Sequence, residues 1–171
     1  MFGRIKKNKD NSTIRDEIIA YILDCFDDLI AKYRLSVNVR KQTETITGID
    51  LENKSDAMYI CYSTHPSDYP FRFDVRYCKQ KYIDKDFALY RHDTMEIVSL
   101  WRFDKHLNTT ITGSLEKDIP IIYECCKKAS EMFIYFQGIS DDEYYSVAVK
   151  LKAPNKHGAR GCRYSLLRQL L

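Results

Sequence analysis

The segment from Ser12 to Tyr33 constrains the fold of this chain most strongly, because its apolar residues recur at helical spacing with no Gly or Pro among them. Residues three or four positions apart share one face of an α-helix. The face consists of Ile14, Ile18, Ile22, Cys25, Phe26, Leu29, Ile30 and Tyr33. Because a helix in water depends mainly on the packing of its apolar face, we expect the following residues to provide the surface that it covers.

The residues after this helix alternate between apolar and polar side chains, which is typical of half-buried β-strands. The run from Phe71 to Tyr77 shows the clearest alternation, and the Pro-containing run from His65 to Pro70 is a predicted loop. The pattern predicts an antiparallel meander of four or five strands, at residues 35–40, 43–51, 57–63, 71–78 and 87–90.

A second long helix is predicted near residues 118–137. Asp118 can cap its first turn, Pro120 is tolerated there, and Gly138 provides a stop. Its apolar face contains Ile119, Ile122, Cys125, Cys126, Ala129, Met132, Phe133 and Phe136. We expect this face to pack on the same sheet as the first helix.

Two shorter elements are less clearly patterned. Asp93 followed by Glu96 has the spacing of a capping box, so a short helix is predicted over residues 97–103, with a strand as the alternative. Alternation from Tyr145 to Leu151 predicts a late strand. The whole pattern predicts a single α+β domain over residues 1–171: an antiparallel sheet of about five strands, packed by a long N-terminal helix and a second long helix near 118–137.

Charge is distributed unevenly along the chain, although the formal net charge is only +3. Residues 1–9 and 150–171 contain ten of the 27 basic residues and no acid, which leaves 17 basic against 24 acidic residues between them, a net of about −7. We therefore predict an acidic body with a basic N-terminal arm (1–11) and a basic C-terminal tail (152–171). Such ends can contact phosphate or an acidic partner, or fold back on the body.

The cysteine pattern bears on compartment and cofactors. The six cysteines show no C-x-x-C motif and no zinc-finger spacing with histidine. No secretory signal and no apolar run of 18 residues is visible. The sequence therefore predicts a cytoplasmic protein with reduced, mostly buried thiols, no membrane span, no metal and no cofactor. The even number of cysteines leaves a disulfide framework as the alternative.

Two charged groups are candidate binding sites. The first is a stripe on the N-terminal helix, opposite its apolar face, which can contact a basic partner or simply face solvent. It is formed by Asp24, Asp27 and Asp28. The second lies in a glycine-containing loop of the tail, where basic side chains can bind phosphate or remain solvated. It is formed by Lys156, Arg160 and Arg163.

Patterns that would carry catalysis are weak. Residues Asp50 to Lys54 contain an acid-x-Lys step, as in metal-dependent nucleases whose carboxylates hold Mg²⁺ and whose Lys lies near the phosphate, but here the step runs into a predicted turn. Cys125 and Cys126 lie on an apolar helix face, where a thiol behaves as a small hydrophobic group. No phosphate-binding glycine loop or serine nucleophile motif is present, and no catalytic residue is predicted.

These observations favour a small non-enzymatic protein that binds a protein partner, such as an inhibitor, an immunity protein or a viral or bacterial accessory factor. The alternative is a nucleic-acid or nucleoprotein-assembly protein that uses its basic ends, with affinity that falls steeply with salt. The third interpretation is a metal-dependent nuclease or hydrolase that depends on Glu52 and Lys54.

Overall fold

The computed structural model describes residues 11–41, 43, 45–83 and 96–152, with side chains from Arg15 onward except that of Lys41. Within these ranges five strands form one sheet and five α-helices accompany it, so the α+β class is as predicted. In chain order the elements are α1 (Asn11–Cys25), α2 (Asp27–Tyr33), β1 (Ser36–Lys41), β2 (Ile46–Glu52), β3 (Asp56–Ser63), β4 (Phe73–Lys79), β5 (Val98–Ser99), α3 (Leu100–Phe103), α4 (Leu115–Gln137) and α5 (Asp141–Lys152).

The sheet is an antiparallel meander in which each strand pairs with the next, in the order β1-β2-β3-β4-β5. This confirms the predicted arrangement. Successive residues of a strand point to opposite faces of the sheet. In β3, Met58 and Ile60 belong to the main core under the helices, whereas Ala57 and Tyr59 belong to a smaller cluster on the other face. The helices therefore cover one face of the sheet.

The predicted N-terminal helix is present but is divided into α1 and α2 at Phe26. Phe26 is fully buried; its N–H donates to the Leu23 carbonyl at 3.0 Å, and its carbonyl accepts from the Ile30 N–H at 2.8 Å. These bonds satisfy the backbone across the break. Ile18 and Ile22 are buried as predicted, so the apolar face continues past the break.

The helix α4 begins at Leu115, before the predicted start, and ends at Gln137 with Gly138 as its cap. Asp118 therefore does not cap it from outside. Its fully buried carboxylate accepts hydrogen bonds from the backbone N–H of Thr112 at 2.7 Å, the N–H of Gly113 at 2.9 Å and the Tyr62 hydroxyl at 3.0 Å. The side chain joins the loop before α4 to strand β3.

The predicted late strand over residues 145–151 is wrong, because this stretch belongs to α5. The Ser140 hydroxyl accepts a hydrogen bond from the N–H three residues on at 3.2 Å, which is an N-cap geometry. Acidic residues occupy the first turn of α5 and lysines the last, so both ends suit the helix dipole. Tyr144 and Ala148, four residues apart, are both fully buried. The helical spacing of Tyr144 and Ala148 therefore agrees with the observed structure of this segment, and the apolar alternation does not.

The short helix predicted over residues 97–103 forms only from Leu100. Val98 and Ser99 instead pair with β4, opposite Tyr77 and Arg76. A short apolar run is compatible with either a helix or a strand. Here Val98 and Ser99 form a strand because pairing with the edge of β4 satisfies backbone hydrogen-bonding groups of both strands.

Aromatic rings hold α4 and α5 against the sheet. Tyr77 of β4 meets Phe133 edge to face at 5.6 Å and stacks on Phe136 at 5.1 Å. Tyr144 of α5 meets Phe136 at 5.0 Å and donates its hydroxyl hydrogen to the Tyr77 carbonyl at 3.2 Å. Aromatic pairs contribute about 0.5–1.5 kcal/mol each beyond the area that they bury, so this cluster fixes the position of both helices.

Three predictions fall outside the described residues: the strand at 87–90, the arm up to residue 10 and the tail from residue 153. Within the described ranges, no helix combines the length and the apolar character needed to cross a bilayer. The cysteines in those ranges are all free thiols.

Candidate functional site

A groove of about 470 Å³ separates the N-terminal helices from α4. Asp28, Leu29 and Lys32 lie on the wall formed by α2, and Tyr123 and Lys127 lie on the wall formed by α4. Asp28 and Lys32 are four positions apart, as are Tyr123 and Lys127, so each pair lies on one face of its helix. The groove is therefore a valley between two helices.

Two large apolar side chains of α4 line this groove and remain exposed to solvent. Tyr123 is 52% exposed and Ile134 is 47% exposed. Lys127 lies between them along the helix and also lines the groove. Exposed apolar groups beside charged ones are typical of surfaces that bind proteins, and tyrosine is enriched at interfaces.

The predicted acidic stripe lies beside this groove. Asp24, Asp27 and Asp28 are all exposed, and Asp28 also lines the groove. Asp27 and Asp28 occupy the first turn of α2, where the helix dipole favours negative charge. No ion pair or side-chain hydrogen bond joins the three aspartates to other residues that the structure describes. Their charges are therefore accessible to a basic ligand.

The groove also contains a thiol of unusual acidity. Cys25, the last residue of α1, is half-buried and lines the groove, whereas Cys126 of α4 is buried. The neighbouring Cys126 thiol lowers the pKa of Cys25 to about 7, against burial and the nearby charge of Asp24, and the Tyr21 hydroxyl adds to the lowering. The interaction with Cys25, together with burial, raises the pKa of Cys126. Cys25 is the member of the pair that ionises first.

A second depression, of about 430 Å³, lies on the sheet face away from the helices. Its charged groups are paired within the protein: the Arg76 Nε atom lies 2.7 Å from Asp74 Oδ2, and the Ser63 hydroxyl donates to Asp68 at 2.6 Å. Tyr59, which lines it, is only 3% exposed, and burial raises its pKa. The chemistry of this depression is largely satisfied internally.

The acid-x-Lys step lies on the same sheet face, in β2 and the turn after it. The Asp50 carboxylate accepts from Arg40 Nε at 2.5 Å and from Asn38 at 3.2 Å, and burial nevertheless raises its pKa. Glu52 and Lys54 are exposed. In the part of the chain that the structure describes, no cluster of three or more His, Cys, Asp or Glu side chains could hold a metal ion. Asp50 thus serves a cross-strand ion pair.

The structure brings together only some of the predicted site residues. The acidic stripe adjoins the groove, whereas Lys156, Arg160 and Arg163 lie outside the described residues. Sequence reasoning missed Tyr123 and Ile134, because it assigned only the buried face of α4. The signal was present, since these two residues are eleven positions apart and so share a second helical face.

The effect of Cys126 on the pKa of Cys25 was also missed. Each residue was assigned correctly to the apolar side of its own helix, but no local pattern relates two helices that are distant in sequence. Comparisons of the chain with protein-family models, with curated proteins and with solved structures find no match.

Proposed function

We propose that this chain is a non-enzymatic cytoplasmic protein that binds a protein partner in the groove between α2 and α4. The observation that carries the proposal is the exposure of Tyr123 and Ile134 along the same groove as the charges of Asp28 and Lys127. Burial of apolar surface by a partner contributes about 25 cal/mol of binding free energy per Å². The two side chains are therefore suited to anchor a ligand.

The partner segment that fits this groove is an amphipathic helix with basic residues on one flank. A third helix can lie in the valley between two helices, with its ridges of side chains between theirs. Its apolar side would contact Tyr123, Ile134 and Tyr33, and its basic flank would lie near Asp24 and Asp28. The negative charge of the body adds long-range attraction for such a segment.

This proposal includes inhibitors, immunity proteins and viral or bacterial accessory factors, all of which can act by occupying a surface of another protein. None of these roles needs a catalytic residue, a metal or a cofactor on this chain. A single docked helix would be enough to block or stabilise the partner.

The test is affinity capture from the native host with the wild-type chain and with a groove variant, Tyr123→Asp combined with Ile134→Asp. Controls of similar exposure are Tyr145→Asp, at 42%, and Val37→Asp, at 41%, which both lie outside the groove lining. We expect one protein to be retained by the wild type and both controls and lost by the groove variant. The purified pair should then show at least tenfold weaker binding for the groove variant.

Retention by the groove variant as strong as by the controls would contradict the proposal. So would the absence of any protein enriched on the wild type over a column that carries an unrelated chain. A charge-reversed variant, Asp24→Lys combined with Asp28→Lys, should weaken binding and reduce its salt dependence, because it removes the attraction to a basic flank.

One observation favours a second candidate, a nucleic-acid-binding role. The last 22 residues carry six basic residues and no acid, which is a charge pattern suited to phosphate contacts. Its test is titration with duplex DNA and with RNA at increasing salt: log affinity should fall linearly with log salt concentration. No binding at low salt would remove this candidate.

A further inference from the structure

The groove between α2 and α4 presents an apolar and an acidic surface to the same ligand. Tyr123 and Ile134 line the groove and are both exposed. They are eleven positions apart on α4, so they lie about 16 Å apart along the helix axis. Asp28 lines the same groove, and Asp24 is exposed beside it. A short amphipathic helix with a basic flank matches both surfaces.

Residues 164–171 of this chain lie outside the described residues, and their sequence predicts such a helix. Their leucines recur at positions i, i+1, i+4 and i+5, which share one side of a helix. These are Leu166, Leu167, Leu170 and Leu171. Arg168 lies at the edge of that side, whereas Ser165 and Gln169 lie opposite. Eight helical residues are about 12 Å long, so the segment fits between the two exposed side chains of α4.

This segment needs a surface to fold on, and its charge directs it to the body of the same chain. Helices shorter than about 12 residues are marginal in water, so the leucines must pack on an apolar surface for the helix to persist. Residues 150–171 contain six basic residues and no acid, whereas acids exceed basic residues between 10 and 149. The opposite charges attract the segment to the body.

The connection between α5 and this segment is long enough to reach the groove. It comprises the eleven residues 153–163 after Lys152, which span up to about 36 Å when extended. Tyr144 of α5 contacts Phe136 of α4, with 5.0 Å between ring centroids, and Phe136 is two positions from Ile134. From this contact, the end of α5 lies about 12 Å along its axis, and the groove lies across one helix diameter of about 10–12 Å. Both distances together are shorter than the connection.

We propose that residues 164–171 dock as a short helix in the groove of their own chain, with the leucines against Tyr123 and Ile134 and with Arg168 beside the acidic stripe. This inference rests on the proposed function, because the segment then occupies the surface that the protein partner needs. A short flexible connection gives a tethered segment an effective concentration on the order of 1 mM. A segment with a Kd of about 0.1 mM is then bound about ten times as often as it is free, and it weakens partner binding about tenfold.

Photo-crosslinking in the full-length chain at low concentration is the direct test. Tyr123→p-benzoylphenylalanine places a photoreactive ring in the groove, and irradiation is followed by tryptic digestion and mass spectrometry. We expect this probe to attach to the peptide of residues 164–168 within one chain. The control is Val37→p-benzoylphenylalanine, on the edge strand β1 and outside the groove lining, which should not attach to that peptide.

Three results would overturn the proposal. The first is the absence of the 164–168 peptide from the adducts of the groove probe, and the second is equal attachment by the control probe. The third is an adduct that joins two chains and increases with protein concentration, because it assigns the groove to a second copy. Circular dichroism must show that each variant is folded. If the Tyr123 variant is unfolded, Lys127→p-benzoylphenylalanine replaces it, since Lys127 is exposed and lines the same groove.

Two variants of the segment change its charge equally on opposite sides of the helix. Leu167→Asp combined with Leu170→Asp changes the apolar side, and Ser165→Asp combined with Gln169→Asp changes the polar side. The leucine variant should lower the yield of the groove adduct by about fivefold or more, because it removes the apolar contact. The polar-side variant should retain the adduct. Equal loss in both would contradict docking by the leucines.

Photo-crosslinking detects the segment and affinity capture detects the partner, so the two proposals fail separately. The captured partner should bind the leucine variant about tenfold more tightly than the polar-side variant, because the groove is then vacant. Equal affinities would contradict the competition. If capture depends on Tyr123 and Ile134 but the groove probe finds no segment, this inference fails and the proposed function stands. If the probe finds the segment but no partner is captured, the docking stands and the proposed function fails.

Discussion

The groove between α2 and α4 and the depression on the open sheet face are similar in volume but differ in how their aspartates are paired. On the sheet face, Asp74 pairs with Arg76 and Asp50 with Arg40. In the groove, Asp28 has no such partner among the described residues, and apolar side chains stay exposed. A concave surface whose polar groups bind one another supports the fold, whereas one whose groups remain open is available to a ligand.

The largest expected effect is a difference in stability between two aspartate variants, one that removes the buried hydrogen-bond acceptor Asp118 and one that removes the exposed Asp28 carboxylate. Asp118→Ala should lower the free energy of unfolding by about 3 kcal/mol or more, because the donors of Thr112, Gly113 and Tyr62 lose their buried partner. Asp28→Ala should change it by less than about 0.5 kcal/mol. Urea unfolding followed by circular dichroism measures both. Similar losses for the two variants would mean that the groove charge also supports the fold.

A close contact on the sheet face gives the next largest effect. A Cβ atom at Gly48 would lie 2.9 Å from both the Cε2 atom and the hydroxyl oxygen of Tyr59, which is buried and has little room to move. Gly48→Ala should therefore cost about 1–3 kcal/mol of stability. In a chain that carries Tyr59→Leu, Gly48→Ala should lower the free energy of unfolding by a smaller amount. A double-mutant cycle by chemical unfolding measures this difference. Strict additivity of the two changes would contradict the contact.

Each depression contains one half-buried thiol, which allows a direct comparison of their reactivity. At pH 7 iodoacetamide should modify Cys25 about tenfold faster than Cys61, because more of Cys25 is thiolate. The Cys25 rate should rise with pH through about 7 and then level, while the Cys61 rate should still rise above pH 9. The titratable and charged groups around Cys25 are Tyr21, Asp24, Asp28, Lys32, Tyr123, Cys126, Lys127 and Glu131.

Peptide-resolved mass spectrometry over a pH series measures these rates. Cys126→Ser, if folded, serves as the control that removes the neighbouring thiol, and it should shift the pH midpoint of the Cys25 reaction rate. A Cys25 profile that matches that of Cys61 would show that the two thiols do not differ.

The smallest effect concerns the acidic stripe. Asp24 lies at the negative end of α1, whereas Asp27 lies at the positive end of α2. Asp24→Asn should therefore stabilise the protein by a few tenths of a kcal/mol, and Asp27→Asn should destabilise it by about the same amount. Matched urea unfolding at low salt measures both, and equal signs for the two variants would contradict a break at Phe26.

The fold was predictable where a local pattern had one structural meaning. The apolar run of β3, the alternation of β4 and the apolar stripe on α4 are clear patterns, and all three elements form. Residues 145–151 contained two patterns, a strand-like alternation and the cap of Ser140 with its acidic first turn, and only the second agrees with the buried pair Tyr144 and Ala148. No Gly or Pro lies near the break at Phe26, so the sequence predicted one continuous helix from Ser12 to Tyr33.

The candidate site was less predictable than the fold. The acidic stripe was identified because three aspartates are close in sequence, but the groove beside it needs a second helix whose position no local pattern gives. The same holds for the apolar rim, since Tyr123 and Ile134 are functional candidates only because α2 lies across from them. A residue's exposure depends on its neighbours in space.

The sequence by itself determined the helical period and the buried side of the N-terminal segment and of α4, the alternation of β4, and the uneven distribution of charge along the chain. These properties depend on residues a few positions apart, whose relation is set by backbone geometry. Only the tertiary structure decided that the Tyr62 hydroxyl donates to Asp118 across 56 residues and that the Tyr144 hydroxyl donates to the Tyr77 carbonyl across 67 residues. Contacts of that kind arise when separate elements bury their apolar faces together, and no local spacing encodes which polar groups then become neighbours.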